Sequence, residues 1–257
     1  MQFIDGIVEI AKIQEMMPNG VTQPFRCRTF QGDEAIVKFE KNQFGATVLL
    51  NELIGHYTAD LIGVNIPQFG ICYIGEETVG LTDFYEDNFG ENDFLGYGFY
   101  SGYIPNGIPL AERVLHMTKN CDVNKIILLD CILNNEDRHD GNLLITMTDE
   151  ARLYSIDFSH IISRDIPWSS ERKRELFDCE NLSVDFLKEN ADVYSVLFRH
   201  KSYSADNLKK EADNIKEKVL KADYQSVLSM IPQSWTCKEC ESLAEQIIGY
   251  IKGVRVN

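Results

Sequence analysis

Asn134-Asn135-Glu136-Asp137-Arg138-His139-Asp140-Gly141-Asn142 is a polar run set between two apolar segments, and fifteen residues after Asn142 stands Asp157, in Ile156-Asp157-Phe158-Ser159. An Asp, an Asn five positions on and a further Asp one hairpin downstream form a set that phosphoryl transfer can use. One carboxylate meets an acceptor hydroxyl, while an amide oxygen and a second carboxylate hold Mg²⁺ against a triphosphate. Asp-x-x-x-x-Asn alone is a weak signal, and outside this setting Asp137 and Asn142 would read as turn residues and Asp157 as a strand end. Upstream, Lys38 and Glu52 supply the complementary half: a lysine to neutralise phosphates and an acid to hold it in place. Pro18-Asn19-Gly20-Val21-Thr22-Gln23-Pro24-Phe25 precedes Lys38 and could offer backbone N–H groups to phosphates, with Gly20 its one glycine.

The elements that must position these groups are legible as periodicities. In Glu34-Ala35-Ile36-Val37-Lys38-Phe39-Glu40, Ala35, Val37 and Phe39 alternate with Ile36, Lys38 and Glu40, so the segment reads as a strand with Lys38 opposite its apolar face. From about Ala46 to Ile62 the period becomes helical, with Leu50, Leu53, Ile54, Tyr57 and Leu61 as one stripe. Glu52 lies off that stripe beside Val48, Gly55 and Ala59, small and apolar neighbours that imply a second covered face and an acid in need of a cation. Asp122 is the expected N-cap of a helix whose Val123, Ile126, Ile127, Cys131 and Ile132 recur at helical spacing up to the polar loop. The segments NLLITM and RLYSIDF then read as two strands of a hairpin that would bring Asp157 back beside Asn142. Leu208, Ala212, Ile215 and Val219 mark one amphipathic helix near the C-terminus, and Cys240, Leu243, Ala244, Ile247 and Ile251 another.

The chain of 257 residues is 44% hydrophobic with 7 prolines, which excludes a disordered tail. No run of about 18 uncharged apolar residues is present to span a membrane. The opening MQFIDGIVEI lacks the basic start and small-residue cleavage site of a signal peptide. Seven cysteines, odd in number and scattered, suit free thiols in a reducing compartment, and a cytoplasmic location is expected. The net charge of −15 argues against binding a phosphate backbone. Between Lys41 and Arg113 there is no Lys or Arg, while ten acids fall there, including Asp83, Glu86, Asp87, Glu91 and Asp93. Such a stretch reads as a solubilising face or, where it borders the mouth of a cleft, as an acidic rim that would favour acceptors with basic flanks.

NNEDRHDGNLL followed by IDF, GVTQP before VKF, and NELIGHYTADLIGVNIP together resemble the HipA-like kinases, bacterial relatives of the protein-kinase fold, from about Gly20 to Trp235. IPQSW near Ile231 is similar to the C-terminal helical region of the short, stand-alone members. The resemblance implies an α+β, two-lobed protein-kinase-like fold: a small β-rich N-terminal lobe over residues 1–80, a connector near Gly80 to Phe84, and a mostly helical lobe over 81–257. It further implies that Asp137 is the catalytic base, that Asn142 and Asp157 bind Mg²⁺, that Lys38 contacts the phosphates of ATP and that Glu52 pairs with it. Arg138 and His139 would order the loop, and Thr22 would be a candidate for self-phosphorylation. The expected acceptor is a Ser or Thr hydroxyl of a protein, and an antitoxin or regulatory partner is a further expectation, although full-length HipA toxins dock theirs through an additional N-terminal portion. A small-molecule kinase and a non-catalytic nucleotide-binding module are the rival readings. Against eukaryotic protein kinases, the loop reads Asp-Arg-His in place of His-Arg-Asp, and Ser159 stands where those enzymes have glycine. Nine residues separate Asp157 from Pro167, too few for a long activation loop. Cys237-x-x-Cys240 has no second pair and reads as packing or surface cysteines, the scattered histidines and Trp168 and Trp235 as packing, and Tyr97, Phe99, Tyr100 and Tyr103 as a cleft lining or a strand.

Overall fold

The structure is a computed structural model that describes residues 2–18, 22–42, 44–80, 94–118, 121–135, 137–147, 151–161, 191–235 and 238–253. Gly20, the acidic run from Asp83 to Asp93, Pro167, Trp168 and Cys237 lie outside these residues, as does the side chain of Cys240.

The N-terminal part is a closed barrel in the order β1 (Phe3–Met16), β2 (Phe25–Thr29), β3 (Glu34–Phe39), β5 (Gly96–Gly102), β4 (Phe69–Ile74). β1 closes it by pairing antiparallel with β2 and parallel with β4. The alternation in β3 has the expected consequence: Ala35, Val37 and Phe39 join Ile10, Ile13, Phe25, Cys27, Cys72 and Tyr100 inside the barrel, and Lys38 leaves by the other face. The barrel extends beyond residue 80, because β5 pairs with both β3 and β4. Glycines at 96, 98 and 102 weaken the strand signal that the aromatic run gives in the sequence, yet Gly98 is required: a Cβ there would stand 2.7 Å from the Lys38 carbonyl oxygen on β3. The aromatic run is therefore strand packing, Phe99 pointing to one core and Tyr100 to the other.

α1 (Ala46–Ile62) follows β3 and ends at Gly63, whose φ of 82° and N–H to the Ala59 carbonyl at 3.1 Å close the helix in the left-handed conformation. Both faces of α1 are buried, as its apolar surroundings of Glu52 imply. One meets the barrel at Phe69 and Phe99 through His56. The other meets the C-terminal helices α5 (Ala205–Lys221), α6 (Tyr224–Leu228) and α7 (Lys238–Gly253), where Tyr57 packs on Tyr224 and Thr58 hydrogen-bonds its hydroxyl at 3.0 Å.

Among the described residues the remainder is mainly helical around one small sheet. After β6 (Ile108–Pro109) and α2 (Glu112–Leu115), α3 (Val123–Leu133) starts at Asp122, whose carboxylate accepts the Lys125 N–H, and stops at Asn134, which takes the left-handed conformation. β7 (Leu143–Thr146) and β8 (Arg152–Ser155) pair antiparallel, and α4 (Ala191–Phe198) packs on α3. Ala212, Ile215 and Val219 of α5 are buried, as are Ala244, Ile247 and Ile251 of α7 and the wholly enclosed Trp235. Cys27, Cys72, Cys121 and Cys131 are free and buried. Among the described residues no helix is long and apolar enough to cross a membrane.

Candidate active site

Lys38 leaves β3 into a buried ionic knot. Its Nζ lies 2.5 Å from Glu52 Oε1 on α1, 2.9 Å from Asp157 Oδ1 after β8 and 2.7 Å from Ser159 Oγ. Burial alone would lower the pKa of this ammonium, but Asp157 and Glu52 outweigh it and hold the value above that of an ordinary lysine. Burial likewise works to raise both carboxylates, and Lys38 reverses the sign: Glu52 is held below, and Asp157 well below, the usual range. All three groups are charged at neutral pH, so the knot is ionic and not a set of neutral hydrogen bonds.

The backbone around Asp157 explains how three distant segments meet. Asp157 has φ of 58°, a left-handed conformation that a non-glycine residue adopts at some cost, Asp being among the more tolerant types. That turn sends Phe158 into α1, where it packs edge-on to His56 with ring centroids 4.8 Å apart, while its N–H donates to Glu52 Oε2 at 3.1 Å. Gly55 makes this approach available, since a Cβ there would lie 2.4 Å from Phe158 Cβ. Asn51 Nδ2 adds a bond to the Ser159 carbonyl at 2.7 Å. His56 Nδ1 bonds the Glu52 carbonyl at 2.9 Å, so this histidine packs and orients.

The polar loop is built on a second buried ion pair. Arg138 and Asp130 are fully enclosed; the guanidinium donates to Asp130 through Nε and Nη2, and Nη1 reaches the carbonyls of Asn142 at 2.9 Å and Ile156 at 3.1 Å. Tyr194 of α4 and Asn135 complete the shell of Asp130, at 3.0 and 3.1 Å. Arg138 thus ties α3, the loop and the approach to Asp157 together, which is the ordering role expected of it. Asp130 and Tyr194 were not anticipated, although an acid within the apolar run Ile126-Ile127-Leu128-Leu129-Asp130-Cys131 signals the same need for a cation that marked Glu52. His139 Nδ1 accepts the Gly141 N–H at 3.0 Å and caps the short turn Asp140–Asn142.

Asn142 Nδ2 donates to the Asp137 carbonyl at 2.9 Å, which assigns its amide and identifies Oδ1 as the side-chain atom that could face a cation. Its own carbonyl accepts the Ile156 N–H at 3.0 Å, one residue before Asp157. Asp157 Oδ1 is engaged by Lys38 and the Ser159 N–H, and Oδ2 makes no hydrogen bond among the described residues. An amide oxygen and a carboxylate oxygen are hard donors, suited to Mg²⁺. Among the described residues no cluster of three or more His, Cys, Asp or Glu side chains could hold a metal by itself. A cation here would complete its shell with phosphate and water, as Mg²⁺ commonly does. Asp137 is half-buried on the same loop, held by its N–H to Asn135 Oδ1 at 3.3 Å. Thr22 is buried and lines a small cavity with Gln23, Phe25, Phe39, Lys41 and Asn42 at the end of the barrel.

Residues 10–252 match the family model described as HipA-like kinase. Among solved structures, the Helicobacter pylori proinflammatory kinase CtkA is similar at 8% identity and a TM-score of 0.45, over 96% of this chain and 97% of that one. The Golgi casein kinase is similar at 12% identity and a TM-score of 0.40, over 97% of this chain and 71% of that one. No curated protein matches the sequence.

Proposed function

We propose that this chain, which belongs to the HipA-like kinase family and so to the phosphotransferases, moves the γ-phosphoryl group of ATP to a serine or threonine hydroxyl of a protein in a Mg²⁺-dependent reaction. The β-rich N-terminal part and the helical C-terminal part are the two lobes of its kinase-like fold, and the nucleotide lies between them. The observation that carries the reading is the meeting of Lys38, Glu52 and Asp157, from β3, α1 and the end of β8, in one buried knot. Lys38 and Asp157 are 119 apart in the chain, and Asp157 holds the left-handed conformation where they meet, a local cost of the kind that gathers at functional sites.

In this reading Glu52 fixes Lys38, and Lys38 neutralises charge on the phosphates. Asn142 and Asp157 would hold Mg²⁺ through their side-chain oxygens, and the ion would offset the charge that develops on the transferring group. Asp137 accepts the proton of the acceptor hydroxyl, and the Asn142 amide, bonded to the Asp137 carbonyl, sets the distance between base and metal ligands. Arg138 holds that loop rigid from beneath.

Calorimetric titration with ATP and Mg²⁺, paired with an ATP-consumption assay on a protein acceptor mixture, tests the assignment. Asp137→Asn is expected to lose turnover and keep Mg²⁺-ATP binding, whereas Asp157→Ala loses Mg²⁺-dependent binding as well. Normal turnover by either variant refutes it.

A further inference from the structure

An ammonium has three N–H donors, and Lys38 uses all of them, on Glu52 at 2.5 Å, Ser159 at 2.7 Å and Asp157 at 2.9 Å. A phosphate oxygen can bond Lys38 only by displacing or sharing one of these partners. Glu52 is the least replaceable, because it is buried, ionic and held also by the Phe158 N–H and the Ser159 hydroxyl. Asp157 is ionic too. Ser159 is the neutral partner, and its hydroxyl keeps a second bond when it yields Lys38, since it donates to Glu52 Oε1 at 2.8 Å. Its side chain is enclosed and its hydroxyl stays bonded to Glu52, so it remains beside the ammonium and in competition for it.

We infer that Ser159 is a positioning residue that sets nucleotide affinity: its hydroxyl occupies the Lys38 donor that a phosphate must take. The inference rests on the nucleotide-site reading above. At the position where eukaryotic protein kinases have glycine there is no hydroxyl to compete. Here, binding exchanges a hydroxyl for a phosphate oxygen and gains only the difference between them. Without the hydroxyl, a buried N–H would lack a partner until the phosphate arrives, and the whole of a charge-assisted bond would count towards binding.

The test is calorimetric titration of the intact chain with ADP in excess Mg²⁺. Ser159→Ala is expected to bind about tenfold more tightly, the size of one hydrogen bond to a charged group. Ser159→Gly, which also lacks the hydroxyl, is expected to do the same, and Ser159→Thr to stay near the unmodified affinity. In a Lys38→Met background the Ser159→Ala effect should vanish, which a general loosening of the fold would not produce. Unchanged or weaker binding by both hydroxyl-free variants overturns the inference, and so does tightening that survives Lys38→Met. Failure of the unmodified chain to bind ADP overturns the nucleotide-site reading along with it, so the two failures are told apart.

Discussion

Gly55→Ala places a methyl group where the knot is assembled. The new Cβ would lie 2.4 Å from Phe158 Cβ and 2.6 Å from Cγ, against the 3.5–4.0 Å at which carbon atoms rest. Phe158 must therefore retreat by about 1 Å or more, and because the clash is with the root of the side chain, a rotamer change cannot absorb it. Asp157 and Ser159 flank Phe158 and would move with it, opening the 2.9 and 2.7 Å contacts to Lys38. Overpacking of this kind costs about 1–3 kcal/mol. Replacing glycine by alanine inside a helix returns about 1 kcal/mol, so stability changes little, falling by at most about 2 kcal/mol. Activity should fall much further, on the order of a hundredfold, since misplacement by about 1 Å is enough for that. Thermal denaturation alongside steady-state ATP consumption separates the two effects. A variant that melts higher and turns over normally would refute the packing of Phe158 on α1 and with it the coupling of α1 to Asp157.

Lys38→Met and Glu52→Gln should each abolish most activity, and the double variant should lose little more, because the two act as a unit; additive losses in a kinetic double-mutant cycle would show that they work separately. Arg138→Met strands Asp130 as an uncompensated buried charge and should cost about 3–5 kcal/mol in urea unfolding, while Asp130→Asn with Arg138→Met should recover part of it. Because Glu52 and Asp157 titrate below the ordinary carboxylate values of about 4, their contribution to stability is complete above about pH 4 and is lost as pH falls through the depressed folded-state values. The melting temperature should therefore drop below pH 4, less steeply in Glu52→Gln than in the unmodified chain, and equal slopes would refute the ionic knot. Lys38 has the opposite sign: its raised value gives stability that is full below about pH 10.4 and is lost at higher pH.

Much of the site is written in local pattern. The alternation of Ala35, Val37 and Phe39 decides that Lys38 faces away from the barrel interior, and the helical stripe of α1 with its small second face marks Glu52 as a buried acid. Asp122 and Asn134 announce the ends of α3, and two short apolar runs give the hairpin that carries Asn142 and Asp157. These features depend on side-chain period, cap chemistry and turn residues, which act over a few positions and can be read from a few positions. What joins them acts over the whole chain. That Lys38 meets Asp157 and Ser159, that Arg138 closes on Asp130 and Tyr194, and that glycine-rich β5 completes the barrel beyond residue 80 are all outcomes of packing. A buried charge states that it needs a partner but not which one, because pairing is chosen by proximity in the folded chain. Ser159 is the sharpest case: by residue type it is an ordinary serine in a loop, and only the approach of Phe158 to Gly55 sets its hydroxyl between Lys38 and Glu52.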